Sequence, residues 1–400
     1  MKKRHFRSLF CTAALLLSAS ALAQNVRLFE TLKGAVPYRI PSIAACRNGN
    51  IIAVSDYRYC GQDIGFGAVD LHYRISSDNG STWSREEALA AGTGTGDENV
   101  AGYAYGDAAM VADSQSDEVL LLCVTGKMVY FNSRRDNPNR VARFRSHDNG
   151  ETWDGGEEIT DQIYGLFDNR SGGAVEGLFF GSGKICQSRL VKVGKYYRLY
   201  AAVITHSGVF AVYSDDFGDT WSILGDVENS PCPAGDEPKC EELPDGRVVL
   251  SVRTEGRFFN VFMFSDRENA VGKWDEPVLA DAFGGIQNAC NGEVLLVQAR
   301  RQSDNQPVCL LLQSIPFGPQ RANVGFFYKE LVHESDYSTS AAMNEGWTHG
   351  LQMSHEVSAY STMTQLADGH VAFLWEEGPT NYNIDFRKLA VGEITLGKYY

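Results

Sequence analysis

One octapeptide, written three times, constrains this chain more than anything else in it. It reads Ser76-Ser77-Asp78-Asn79-Gly80-Ser81-Thr82-Trp83, then Ser146-His147-Asp148-Asn149-Gly150-Glu151-Thr152-Trp153, then Ser214-Asp215-Asp216-Phe217-Gly218-Asp219-Thr220-Trp221. The shared pattern Ser-x-Asp-x-Gly-x-Thr-Trp has the chemistry of a tight β-turn. The Asp can bond nearby backbone amides, the Gly supplies a positive φ, and the Trp anchors the turn in apolar surroundings. Copies 70 and 68 residues apart predict a repeated supersecondary unit.

Each copy follows a segment with the period of a strand: Val69 to Ile75, Arg143 to Arg145, and Val209 to Tyr213. A fourth, degraded copy follows Val261 to Phe264, where Ser265-Asp266 leads after an insertion to Gly272-Lys273-Trp274. No segment of 12 or more residues has a helical apolar period, although Thr339 to Trp347 has the makings of one turn. A fixed-period β repeat with 40 glycines and 45 aromatic residues suits a β-propeller better than a sandwich, since each blade buries its faces against its neighbours. At roughly 60 to 70 residues per blade the chain holds about six. The expectation is an all-β, six-bladed propeller in a single domain; a seven-bladed propeller or a β-helix is the runner-up.

The first 23 residues stand apart. Lys2, Lys3, Arg4 and Arg7 precede the apolar run Leu9 to Leu22, and Ala21-Leu22-Ala23 supplies a small-x-small cleavage signal before Gln24. This reads as a signal peptide, with a membrane anchor as the alternative for a run of that length. The expected mature chain is residues 24–400, exported to a periplasm or secreted, monomeric, and without a membrane span. The formal charge of −14 becomes −18 once those four basic residues are removed. An acidic body argues against nucleic acid and anionic membranes as partners. Eight cysteines remain (46, 60, 123, 186, 232, 240, 290 and 309), and both disulfides and buried thiols stay open. No cysteine or histidine spacing points to a structural metal, and no cofactor is expected.

Near the mature N-terminus lies Tyr38-Arg39-Ile40-Pro41. With the three octapeptides, this motif resembles the bacterial exo-α-sialidases, six-bladed propellers that remove terminal sialic acid. The resemblance runs from about Arg39 to Glu376. It implies sialylated glycans, glycoproteins or glycolipids as substrates, and three arginines to hold the sialic acid carboxylate. Arg39 matches the first, Arg253 the second and Arg321 the third, with Arg300-Arg301 as a competitor for the last. Guanidinium groups suit the task because they are planar and permanently charged.

The resemblance also implies an acid/base aspartate on a loop between the Arg-Ile-Pro strand and the first octapeptide. Asp63, with glycines on both sides that would let the loop move, occupies that place; Asp56 and Asp70 are its rivals. Arg58 resembles the arginine that touches the sugar ring hydroxyls, and Asp107 is a candidate for lining the N-acyl pocket. A carboxylate nucleophile would be repelled by the substrate's own carboxylate, so a neutral hydroxyl is favoured, and sialidases are the tyrosine exception among glycosidases. Tyr360 matches that tyrosine and Glu237 the glutamate that takes its proton. Glu376 resembles the acid that braces the first arginine, and Glu377 is its substitute.

The function so implied is a retaining exo-α-sialidase, a glycoside hydrolase working through a tyrosyl-sialyl intermediate. A trans-sialidase or intramolecular trans-sialidase would share every one of these residues. A propeller that binds a glycan or protein without turnover is the reading from outside enzymology. None of the candidate residues falls inside an octapeptide, so the repeats are expected to be scaffold.

Overall fold

Strand, tight turn, strand is the rhythm throughout the computed structural model, which describes residues 25–31, 36–254, 256–278, 282–283, 290–379 and 381–400. The expected leader, residues 1–23, lies outside them. Among the described residues there are 26 strands and three α-helices of at most six residues. One of the three, Ser340–Met343, is capped by the Thr339 side chain and lies in the segment where the sequence allowed a single turn.

The strands form a propeller-like, all-β arrangement of antiparallel sheets. One nine-stranded sheet consists of two four-stranded meanders and a short ninth strand, Gly183–Lys184, that pairs parallel with Ala109 and Met110. Tyr38–Ala45, Ile51–Arg58, Val69–Ser76 and Glu87–Ala90 make the first. Ala104–Ala112, Val119–Gly126, Arg140–Ser146 and Glu157–Glu158 make the second. A lone parallel contact, Val69 with Ala104, joins them. Further sheets are built on Tyr196–Thr205, Val248–Thr254 and Pro307–Pro316. In the last sheet the N-terminal strand Val26–Phe29 pairs with the C-terminal strand Asn383–Leu389, Val26 opposite Phe386. The first and the last of the described strands thus meet in one sheet.

Apolar clusters fill the space between successive sheets. Ile43, Ile51 and Ala53 of the first meander pack on Leu366, Ala372 and Leu374 of the last sheet, so the end of the series packs against its beginning. Each sheet buries both faces in this way, which is why strands such as Val119–Gly126 are apolar at successive positions rather than alternate ones.

The octapeptides hold these contacts in register. In the first, Asp78 Oδ1 accepts from the Thr82 amide at 2.7 Å, Asp78 Oδ2 from the Thr82 hydroxyl at 2.6 Å, and Ser76 Oγ from the Gly80 amide at 2.8 Å. The second and third copies repeat all three bonds. The residue before each glycine, Asn79, Asn149 or Phe217, also takes a positive φ, between 56° and 62°. The glycines do more than permit a turn. A Cβ on Gly80 would lie 2.6 Å from Phe386, one on Gly150 2.2 Å from Ile52, and one on Gly218 2.5 Å from Leu120. Every one of those neighbours belongs to the preceding sheet or meander, so the turn is also a packing contact. Gly150→Ala is therefore expected to cost about 3 kcal/mol, from overpacking and a strained φ together. Chemical denaturation checks this, with the midpoint rather than the slope expected to move.

The fourth copy keeps the anchor and loses the clasp. Trp274 Nε1 donates to the Leu224 carbonyl at 2.8 Å, but Asp266 accepts from the Asn269 amide and side chain because no threonine follows at the required distance. All eight described cysteines are free, six of them buried.

A second device sits behind the strand Tyr38–Ala45. His72 Nδ1 lies 2.7 Å from Glu86 and its Nε2 lies 3.6 Å from Asp70, while its ring stacks on Tyr57. Burial alone would depress the imidazole, yet the two carboxylates outweigh it and push the pKa up to about 8. A raised folded pKa means that the stabilisation is fully present below the unfolded value of about 6.5 and is lost as pH rises through about 8. The unfolding free energy of the wild type is expected to fall between pH 6 and pH 9 by more than that of His72→Gln, on the order of 2 kcal/mol at most, in chemical denaturation.

Candidate functional site

Four strands lose register with their neighbours at the same end of the molecule. The pairing slips between Arg39 and Ser42, between Gly106 and Ala109, between Asp236 and Lys239, and between Ser358 and Ser361. Ile40 and Asp107 adopt positive φ values of 55° and 54° within two of these slips. Pro41 and Pro238, which have no N–H to give to a ladder, occupy two of them. A slipped strand twists and re-aims its side chains. Here the slips turn Arg39, Asp107, Glu237 and Tyr360 toward one cleft of about 760 Å³, lined also by Arg58, Asp63, Arg253 and Arg321.

At its floor stands Tyr360. Its hydroxyl donates to Glu237 Oε1 at 2.6 Å and accepts from Arg253 Nη1 at 2.9 Å, while the same Nη1 donates to Glu237 Oε2 at 2.6 Å. Arg39 and Arg321 lie over its ring, with guanidinium carbons 5.5 Å and 5.3 Å from the ring centre. Burial and the Glu237 charge hold the phenol well above its ordinary pKa, against the pull of Arg253. The resting tyrosine is thus neutral, with a carboxylate placed to receive its proton.

Glu376 is fully buried and ties two of these groups together. Its Oε1 accepts from Arg39 Nε at 2.7 Å and from the Ile40 amide at 2.8 Å; its Oε2 accepts from the Tyr360 amide at 3.0 Å. Glu377 is not its substitute, because its carboxylate accepts from the Trp375 indole at 2.8 Å. Successive residues of a strand face opposite ways, and the sheet puts Glu376 on the cleft side. Glu376→Gln leaves the Arg39 cation unmatched, and a loss of about 3 kcal/mol is expected in chemical denaturation, against little change for Glu377→Gln.

Around Arg58 three carboxylates share one cation. Asp56 Oδ2 lies 2.8 Å from Arg58 Nη2, Asp63 Oδ1 3.4 Å and Asp107 Oδ1 3.9 Å. Asp56 is fully buried, also accepts from the Asp107 amide at 3.0 Å, and is pushed up to about 6 by burial against the pull of Arg58. Burial, then Asp56 and Asp63, raise Asp107 as well. Asp63 differs from both: its side chain is 63% exposed and reaches the cleft mouth. Asp70 is engaged elsewhere, accepting from Tyr59 and from the Gly92 amide. The glycines near Asp63 permit close packing, since a Cβ on Gly65 would lie 2.5 Å from the Val129 backbone and one on Gly67 2.8 Å from the Thr95 carbonyl.

Arg300 and Arg301 do not compete with Arg321. Arg300 donates to the Asn305 carbonyl, and Arg301 is paired with Asp304 and Glu330. The sequence reading missed Tyr382, which faces Arg39 at 4.9 Å, and the apolar side of the cleft, built by Ile64, Phe66, Val124, Met128, Tyr130 and Phe179. Nothing in their local sequence sets these aromatics apart from the rest. Among the described residues, no group of three or more His, Cys, Asp or Glu is arranged to hold a metal, and no helix is long and apolar enough to cross a membrane.

The all-β, propeller-like fold is similar to that of solved sialidases and trans-sialidases. The solved intramolecular trans-sialidase from Ruminococcus gnavus superposes with a TM-score of 0.68 over 90% of this chain and 95% of that one, at 17% identity. The NanB sialidase from Streptococcus pneumoniae gives 0.71 over 93% and 71%, at 16% identity. In sequence, the chain is 27% identical over 370 residues to a sialidase of Micromonospora viridifaciens, covering 87% of this chain and 51% of that protein. The chain thus spans about half the length of that relative, and about two thirds of the others of its kind that it matches. No family profile matches the chain.

Proposed function

We propose that this protein is a retaining exo-α-sialidase, releasing terminal α-linked sialic acid from glycoconjugates. The observation that carries the reading is the Tyr360 hydroxyl, bonded to Glu237 and Arg253 and flanked by Arg39 and Arg321. Arg39, Arg253 and Arg321 hold the substrate carboxylate. Asp63 protonates the leaving oxygen. Tyr360 attacks the anomeric carbon as Glu237 takes its proton, giving a tyrosyl-sialyl intermediate that water, activated by Asp63, then hydrolyses. Arg58 and Asp107 contact the ring substituents, and Glu376 keeps Arg39 and Tyr360 aimed.

The same reading takes residues 24–400 as one catalytic domain of six blades, counting the two meanders of the nine-stranded sheet separately. It also takes the chain to be exported and monomeric. Release of a fluorogenic aglycone from an α-sialoside by the purified protein tests the activity. Proton NMR of the first-formed sugar tests retention. No release from several linkages at mildly acidic pH sinks the proposal.

A second reading, transfer rather than hydrolysis, draws on the fold likeness to the intramolecular trans-sialidase of Ruminococcus gnavus and on the apolar side of the cleft, which disfavours water. An anhydro or transferred product in the same NMR experiment decides for it. A protein that binds sialic acid without turnover would be a lectin instead.

A further inference from the structure

Four arginines have work in the proposed reaction, but a fifth lies beside Arg253 with no carboxylate partner among the described residues. Arg257, on the strand Gly256–Asp266, is fully buried and stands directly across the hairpin from Arg253. Its Nη2 donates to the Cys290 carbonyl at 3.0 Å, while Nε and Nη1 have no acceptor among the described residues. The other buried cations nearby are all matched: Arg39 with Glu376, Arg58 with Asp56, Arg253 with Glu237, Lys184 with Glu241, and Lys239 with Glu293. Among the described residues Arg257 has no ion-pair partner.

The groups that face it cannot neutralise it. The Cys290 thiol is pushed up to about 12 by burial and stays uncharged. Glu237 is held by Arg253 and Tyr360, and Glu293 by the Lys184 amide, Thr362 and Lys239. An unpaired guanidinium withdrawn from water is strongly unfavourable, and an unsatisfied donor adds to the cost.

We propose that Arg257 binds a small monovalent anion of the halide class, enclosed beneath the floor of the cleft. Size follows from burial, since a residue with no exposed surface cannot be reached by the carboxylate of a sugar. Valence follows from the single unmatched charge. A water would satisfy the two N–H groups and leave the charge standing. The bound anion cancels the field that Arg257 sets on Arg253, and so lets Arg253 keep its bonds to Glu237 and Tyr360. The site does not depend on the proposed activity, and its test reads binding.

Crystals of the protein grown in bromide are expected to show an anomalous peak within about 3.5 Å of Arg257 Nε or Nη1. Thermal unfolding in bromide against gluconate at equal ionic strength is expected to show a halide-specific rise of roughly 4 °C at a hundredfold excess over Kd. Arg257→Met is expected to remove that rise. The absence of a peak, or water or a protein carboxylate in its place, overturns the proposal. A peak without a halide-specific Tm shift marks an adventitious ion only and also overturns it. If Arg257→Met does not fold, the map and the two-salt comparison on the unaltered protein still decide.

Discussion

Tyr360→Phe is expected to lower kcat/KM for a sialoside by about three orders of magnitude or more, with Tm almost unchanged. The fold tolerates the change because Glu237 and Arg253 remain bonded to each other at 2.6 Å once the hydroxyl is gone. The chemistry does not, because among the described residues only the Tyr360 hydroxyl is bonded to both a carboxylate and one of the three arginines. Steady-state kinetics with a fluorogenic sialoside and a thermal melt measure the two quantities on one preparation. Turnover within tenfold of the unaltered protein refutes the assignment of Tyr360, and a collapsed Tm would mean that the substitution reports on folding instead.

Asp63→Asn separates protonation of the leaving group from everything else in the cleft. On natural sialosides, whose aglycone departs as a poor leaving group, a loss of about a hundred- to ten-thousandfold is expected in kcat/KM. On an aryl sialoside with an acidic phenol the first step needs little proton donation, and the loss in kcat/KM is expected to be smaller by at least about tenfold. The exposed side chain of Asp63, held only by Arg58 and its own loop, makes the substitution mild for the fold. Equal losses on both substrates would remove Asp63 from the role of acid. Asp56 would not take it over, since its carboxylate is fully buried and already serves Arg58 and the Asp107 amide.

Much of this candidate site is legible in the sequence, though unevenly. Arg39 is marked by the motif Tyr38-Arg39-Ile40-Pro41, whose Pro41 sits in a register slip, where a missing N–H is tolerated. Glu237 is marked by its match to the glutamate of the resembled family, and Pro238 beside it also sits in a register slip. Glu376 and Glu377 could not be told apart, because a strand's alternation says that they face opposite ways without saying which face is inside. Arg257 was invisible for a related reason: alone in a sequence, an arginine is a surface residue. Its burial comes from the hairpin that folds it opposite Arg253.

What the chain determined by itself is local. Serine, aspartate, glycine and threonine at fixed spacing close the same turn wherever they occur, because the bonds from Asp78 to Thr82 and from Ser76 to Gly80 span only four residues. Those turns announced a repeated β unit, and the motif residues named most of the cleft. Tertiary structure decided where the charges point. Arg39 and Glu376 are 337 residues apart, and Tyr360 and Glu237 are 123 apart. Their bonds exist only because strands from different sheets slip register at the same end of the molecule. Register is a relation between two strands, so no single stretch of sequence contains it.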